Sequence, residues 1–351
     1  MIRVALAAGV PLIPVGVSGT GRAFPPEMYP RLETLPLPKP EPVLVKFGQP
    51  MSVTAPETDM ISSEFLRAET DRIMKSISDL VDFSRHLTPI EVPLPSEPWT
   101  TPADIVGEGP ARDGKHPLGV LVLHGFTSAI DTVSGVQPVL DGLGLPFRVP
   151  YLRGHGSYFR NQEGTTAADW YGDAEQALMK LLETCEQAVV IGLSMGGLVA
   201  LELGAKHAPS ICGVITVAPA LQFTDPLAPL SGKLAKLFRF WPSPNAYTDK
   251  ECAKKNRNYP YFSTQAFASL YTYSRKIPDL LPAITAPLLV LQHRLNQVVN
   301  PKGALLLMEK AGSEHKRLVW FEKSGHEMML DAEAPAVFAE IEKFLATLIK
   351  Q

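Results

Sequence analysis

Hydrophobic positions in the last two-thirds of the chain follow two alternating patterns. Short, continuous apolar runs have strand length and no polar alternation: GVLVLHG, PFRVPYL, EQAVVIGLS, CGVITVAP, PLLVLQH and RLVWFEK. Between them lie ADWYGDAEQALMKLL, MGGLVALELGAKH, KGALLLMEKAG and APAVFAEIEKFLATLI, whose apolar residues recur at helical spacing. Strands that are apolar on both sides are buried on both faces. The pattern therefore predicts an α/β fold with a mainly parallel central sheet and helices on each face. Residues 221–283 break the rhythm. They hold no clear strand but many aromatics, including Phe238, Trp241, Tyr247, Tyr261 and Phe262, and are expected to form a small helical cap inserted between two strands.

The first third has a different texture. Residues 1–54 contain two apolar segments, PLIPVGVSG and PVLVKFGQPMSV, around the proline-rich LPLPKPEP. Residues 57–83 predict a helix, with Ile61, Phe65, Ile73, Ile77 and Leu80 near helical spacing. Residues 84–116 combine prolines, acidic residues and DG and GEG turns, which predicts a linker. The expected division is 1–83, linker 84–116, and a main domain over 117–351 with its cap at about 221–283.

Composition changes this picture little. A net charge of -3 gives no electrostatic basis for a nucleic-acid partner. Cys185, Cys212 and Cys252 cannot all pair and form no C-x-x-C, so a reducing, cytoplasmic setting is expected, with neither a disulfide framework nor a zinc knuckle. No run is apolar enough to span a bilayer. Pro11 and Pro14 interrupt the apolar opening and no A-x-A follows closely, which argues against a signal peptide. The glycines of GVSGTG have the wrong spacing for a phosphate loop, and no helix follows them.

The chemistry centres on Gly192-Leu193-Ser194-Met195-Gly196, a G-x-S-x-G directly after an apolar strand and directly before a helix. That context makes Ser194 a nucleophile held on a sharp strand-to-helix turn. A serine hydroxyl is a weak nucleophile and needs a base. Of eight histidines, His326 alone lies after the last strand and before the last helix. His315 precedes that strand, His207 ends a helix, and His86 and His116 fall in the linker. His124 and His155 are expected to shape loops. The oxyanion needs two backbone donors, for which Phe126 and Met195 are the candidates. Gly125, Phe126, Met195 and the cap residues Phe238 and Trp241 are the candidate substrate contacts. The acid of a Ser-acid-His order belongs after PLLVLQH, where the chain carries Asn296. Asparagine keeps the size but loses the charge, and its amide can favour the wrong histidine tautomer. In a protease triad that exchange lowers turnover by about ten-thousand-fold. Asp225 and Asp331 are the alternative carboxylates by position.

From about Gly119 onward the chain resembles bacterial carboxylesterases and monoacylglycerol lipases of the α/β-hydrolase superfamily, in GVLVLHGFTS, PYLRGHG, DWYGDAEQAL, VVIGLSMGG, APLLVLQ, VVNP and FEKSGHEMMLD. The resemblance implies ester hydrolysis through an acyl-enzyme, no cofactor or metal, and Ser194 and His326 in a triad with Asn296 at the aspartate position. It also implies a cap over an acyl pocket, and a small, lipid-like ester substrate with peripheral membrane contact. Residues 1–54 resemble the C-terminal part of 1-acylglycerol-3-phosphate acyltransferases in AGVPLIPVGVSGTG and VLVKFGQPMSV. That family's H-x4-D is missing, since residues 1–85 contain no histidine. The segment is expected to be an inactive remnant or the end of a longer acyltransferase–hydrolase fusion. Three functions compete: a serine esterase for short- to medium-chain acyl esters, a binding form impaired by Asn296, and an acyltransferase to an alcohol acceptor.

The proline-rich N-terminal segment offers too little regular apolar surface for a core of its own. It is expected to need the hydrolase domain or a second copy. Residues 1–85 expressed alone should show no cooperative melt by circular dichroism; a sharp transition would contradict this.

Overall fold

The computed structural model describes residues 2–18, 44–54, 62–81, 103–244, 246–254 and 258–350. The chain divides into two compact units, residues 1–98 and 99–351. His86, the LPLPKPEP excursion and the linker residues up to 102 lie outside the described residues.

In the first unit, helix α1 (Ile2–Ala8) precedes strands β1 (Val15–Ser18) and β2 (Leu44–Phe47). The strands pair antiparallel, with Val15 opposite Phe47 and Ser18 opposite Leu44. Helix α2 (Ser63–Leu80) starts where the Ser62 hydroxyl accepts the Phe65 N–H at 3.1 Å, a side-chain N-cap. Residues 57–61 and 82–83 of the predicted helix lie outside the described residues. Gly16 lets its C-terminal end approach β1: a Cβ there would sit 2.7 Å from Leu80 Cβ.

The second unit is built on a seven-stranded sheet. Its strands are β3 (Ile105–Gly107), β4 (His116–Leu123), β5 (Phe147–Val149), β6 (Cys185–Leu193), β7 (Ile211–Val217), β10 (Leu288–His293) and β11 (Lys316–Phe321), in the order β11-β10-β7-β6-β4-β5-β3. All neighbours run parallel except β3, which joins β5 antiparallel at the edge. Ile105–Gly107 and His116 fall within the stretch expected to be linker. β3 is only three residues long, and its flanking turns hide it from any periodicity argument. The central strands match their sequence pattern: Val120 to Leu123 and Ala188 to Ile191 are wholly buried. Helices α3 (Gln137–Gly142), α4 (Ala167–Thr184), α5 (Met195–Lys206), α9 (Lys302–Lys310) and α10 (Ala334–Ile349) cover the two faces. This is the α/β-hydrolase arrangement.

Between β7 and β10 the chain leaves the sheet. It forms helix α6 (Ser231–Leu234), strand β8 (Phe240–Pro242), helix α7 (Lys250–Lys254), strand β9 (Tyr261–Ser263) and helix α8 (Thr264–Leu280). β8 and β9 pair antiparallel as a small sheet of their own. An interval expected to hold no strand therefore contains a hairpin, whose three-residue strands FWP and YFS are too short to show alternation. Helix α8 is fixed to α5 by Tyr273, whose hydroxyl donates to the Glu202 carboxylate.

Two buried histidines shape the loops above the sheet. Leu152 N–H donates to His124 Nε2 at 3.0 Å, so the ring proton sits on Nδ1 and faces the Gly125 carbonyl. His155 Nδ1 lies 3.1 Å from the carbonyls of Leu152 and Arg153. Burial holds both rings neutral, pushing His124 down to about 4; burial, then the His124 ring, lowers His155 to about 3. Arg153 ties the same loop to α4 through Asp169 and Asp173.

The turn between β6 and α5 has no room for a side chain at Gly196. A Cβ on Gly196 would lie 2.5 Å from the Leu123 carbonyl oxygen and 2.6 Å from that of His124. Both obstacles are backbone, one at the end of β4 and the other just after it, and neither can yield as a flexible side chain would. Gly196→Ala should lower unfolding stability by about 1–3 kcal/mol. An unchanged urea midpoint would show that the turn has slack.

Candidate active site

Ser194 occupies the corner between β6 and α5 with φ 54 and ψ -111, a conformation that non-glycine residues rarely adopt. Its own backbone is fully engaged. The N–H donates to the Val217 carbonyl at 2.9 Å, and its carbonyl accepts from Gly197 and Ala220. Strain of this order costs about 1–3 kcal/mol and holds the side chain at the end of the strand.

Three residues from three loops converge there. His326 Nε2 lies 2.9 Å from Ser194 Oγ, and His326 Nδ1 lies 3.1 Å from Asn296 Nδ2. Ser194, His326 and Asn296 are therefore brought together in the order a triad requires. Neither alternative carboxylate touches the ring. Asp225 accepts the Leu227 N–H. Asp331 accepts the backbone N–H groups of Gly325, Thr248, Asp249 and Ala332. Burial alone would raise the Asp331 pKa, but these four donors outweigh it and hold the pKa below the usual value. Asp331 thus shapes the histidine loop. The other histidines lie apart: His207 pairs with Glu175 at 2.8 Å, His315 is exposed, and His116 opens β4.

The orientation of Asn296 is fixed. Its Oδ1 accepts from Val298 N–H at 2.9 Å and from Val299 N–H at 3.0 Å. Turning the amide over would set its NH2 against two N–H donors. The NH2 must therefore face His326, and Nδ1 can take that bond only with its lone pair. In the neutral ring the proton then resides on Nε2, which donates to Ser194 Oγ. Burial keeps the ring neutral, pushing His326 down to about 4, with no carboxylate beside it to oppose the shift. A ring carrying its proton on Nε2 cannot accept the serine proton. An aspartate in this pocket would behave differently. One oxygen would take the two backbone donors, and the other would accept a proton from Nδ1.

The candidate oxyanion donors flank the serine. Met195 is the first residue of α5, where backbone N–H groups have no helical partner. Phe126 lies in the loop after β4, and this loop abuts the serine: a Cβ on Gly125 would be 3.3 Å from Ser194 Cβ. Among the described residues no acceptor takes the N–H of Phe126 or Met195. The Phe126 ring packs among Trp170, Phe262 and Phe267, with centroids 5.7, 5.7 and 6.2 Å away. The cap residues Phe238 and Trp241 instead meet each other edge-on at 5.7 Å.

Glu327 is a site feature the sequence reading passed over. Its fully buried carboxyl accepts from Asn258 Nδ2 at 2.7 Å and faces Ser128 Oγ at 3.4 Å, joining the cap to the loop that carries Phe126. Burial pushes its pKa up to about 7. A lone acid inside the apolar HEMML was the available signal.

Residues 115–333, more than half of the chain, match the family described as "Serine aminopeptidase, S33". The chain belongs to this family. Relatives within reach of this S33 member include the thermostable monoacylglycerol lipase of Bacillus sp. (strain H-257), 29% identical over 66% of this chain and 91% of that protein. The carboxylesterase of Bacillus subtilis (strain 168) is 26% identical over 65% of this chain and 92% of its own length. Among solved structures, one from work on the metagenome-derived lipolytic enzymes LipS and LipT has a TM-score of 0.64 at 26% identity, covering 71% of this chain and 97% of that one. The Paleococcus ferrophilus monoacylglycerol lipase shares the fold, with a TM-score of 0.58 at 18% identity over 67% of this chain and 96% of its own. The family match lies wholly within the second unit. No described helix is long and apolar enough to cross a membrane.

The tautomer is directly measurable. The carbon shifts of the His326 ring should report protonation on Nε2 and stay constant from pH 8 to pH 5, because the ring titrates at about 4. In Asn296→Asp the proton should move to Nδ1, and the added carboxylate should shift the ring's titration to higher pH. A wild-type ring protonated on Nδ1 would overturn the orientation argued for Asn296.

Proposed function

We propose that this S33-family chain is an acyl-ester-binding serine hydrolase whose turnover is impaired by Asn296. The orientation of Asn296 carries the reading, because it leaves the base with its proton on the nitrogen that should receive one. The nucleophile, the base and two unengaged backbone donors are all present, so recognition of an acyl group does not depend on the missing charge. Phe126 and Met195 N–H groups would hold the ester carbonyl oxygen beside Ser194. The carboxylesterase and monoacylglycerol lipase relatives support a short- to medium-chain acyl ester, lipid-like in character. The aromatic surroundings of Phe126 suit its acyl part, and Gly125 allows close approach.

The mechanism follows from the donors. Attack by Ser194 requires its proton to leave, and the ring must first release the proton on Nε2 or change tautomer. A change of tautomer breaks the bond from Asn296 to Nδ1, and loss of the Nε2 proton without one would leave an imidazolate in a buried site. The acyl-enzyme therefore forms slowly, and water attack on it meets the same obstacle. A neutral Asn296 also gives no stabilisation to an imidazolium, which further disfavours the charged intermediate.

Turnover of p-nitrophenyl butyrate and octanoate by wild type, Ser194→Ala and Asn296→Asp tests this. Asn296→Asp should exceed wild type by roughly a thousand- to ten-thousand-fold. Ser194→Ala should remove what activity wild type has. A wild type as fast as Asn296→Asp would show that the asparagine is no defect.

A further inference from the structure

In an active triad the serine hydroxyl donates to the histidine. Here His326 Nε2–H donates to Ser194 Oγ, so the serine must send its own proton in another direction. Among the described residues Ser194 Oγ has no bonded partner but the ring. Beside it are the Met195 N–H at the start of α5 and the Phe126 N–H in a loop pressed against Ser194. The corner thus offers one hydroxyl and two amide donors.

A neutral carbonyl oxygen makes incomplete use of that set. A carboxylate has two oxygens and about four lone-pair sites, and its bonds to such donors are roughly twice as strong as neutral ones. The start of α5 also favours negative charge. In a working triad an aspartate beside the histidine would oppose a second anion, whereas Asn296 is neutral and His326 is held neutral. The other buried carboxyl of this region, Glu327, is turned toward Ser128 and Asn258. Burying an anion is costly without enough donors, and the three donors with apolar surroundings restrict the ligand to a small charged head on an apolar body. The apolar body would pack against the ring of Phe126 and those of Phe262 and Phe267, whose centroids lie 5.7 and 6.2 Å from that of Phe126.

The geometry points to a carboxylate site at this corner: Ser194 Oγ–H and the N–H groups of Phe126 and Met195 hold the head of an apolar organic acid, the class that ester hydrolysis would release. The site rests on the impaired-triad reading, since it requires the reversed hydrogen bond between His326 and Ser194. The protein is thereby a receptor for free acyl acids, with the ester as its weaker ligand.

Calorimetric titration of the full chain at pH 7.5 tests this with octanoate and its neutral isostere octanamide. Wild type should bind octanoate at least about tenfold tighter than octanamide, the worth of charge-assisted bonds. Ser194→Ala should lose about tenfold for octanoate. Asn296→Asp, whose serine proton turns back to the ring and whose new charge repels the ligand, should lose at least as much. Equal affinity of wild type for the two ligands would overturn the carboxylate site, as would equal octanoate affinity in wild type and Asn296→Asp. Ester turnover measured on the same samples separates the two readings. A gain in turnover with unchanged octanoate affinity leaves the impaired triad standing and removes the carboxylate site. Weaker octanoate binding without a gain in turnover keeps the reversed hydrogen bond and the carboxylate site, and removes only the claim that Asn296 limits turnover.

Discussion

Two backbone amides decide the chemistry of this molecule. Val298 and Val299 point their N–H groups at one oxygen of residue 296. For an aspartate that contact is a support, because the second oxygen remains to face the histidine. For an asparagine the same contact is a constraint, because it leaves only the NH2 to face the ring. The tautomer of His326, the direction of its bond to Ser194 and the fate of the serine proton all follow. Nothing else in the site opposes the outcome, since His326 is buried and neutral and Asp331 is committed to four backbone donors.

The remainder of the unit serves to hold this corner rigid. The seven-stranded sheet ends β6 at Ser194, and the absence of a Cβ on Gly196 lets α5 begin within contact of the β4 backbone. His124 and His155, neutral and hydrogen-bonded, fix the loops that bring Phe126 to the serine. The cap contributes through α8, which Tyr273 fastens to α5, and through Asn258, which Glu327 binds. The architecture around the serine is therefore complete, and what distinguishes the site is the neutral side chain of Asn296 beside His326.

Much of this was legible in the sequence, for identifiable reasons. The apolar runs of β4, β6, β7 and β10 have no polar interruptions, so their burial in a parallel sheet followed from pattern. Ser194 was marked by glycines between strand and helix, and His326 by its order after the last strand. Asn296 was found where an acid belonged. β3 and the β8–β9 hairpin were missed because three residues cannot display a period. The orientation of Asn296 was out of reach for a different reason: its partners are main-chain N–H groups, which every residue but proline possesses. Glu327 was visible as a letter but not as a link, because Ser128 and Asn258 are distant in the chain.

One modest contact has a mechanical consequence. The Ala246 carbonyl, in the segment between β8 and α7, accepts the N–H groups of both His326 and Glu327, at 2.7 and 3.1 Å. If that segment withdrew, two buried donors would lose their acceptor, at about 1–3 kcal/mol each. The base and this part of the cap therefore move as one piece. A ligand that displaced the segment would take away the acceptor of the His326 N–H, so the alignment of the imidazole depends on a single carbonyl from a distant part of the chain.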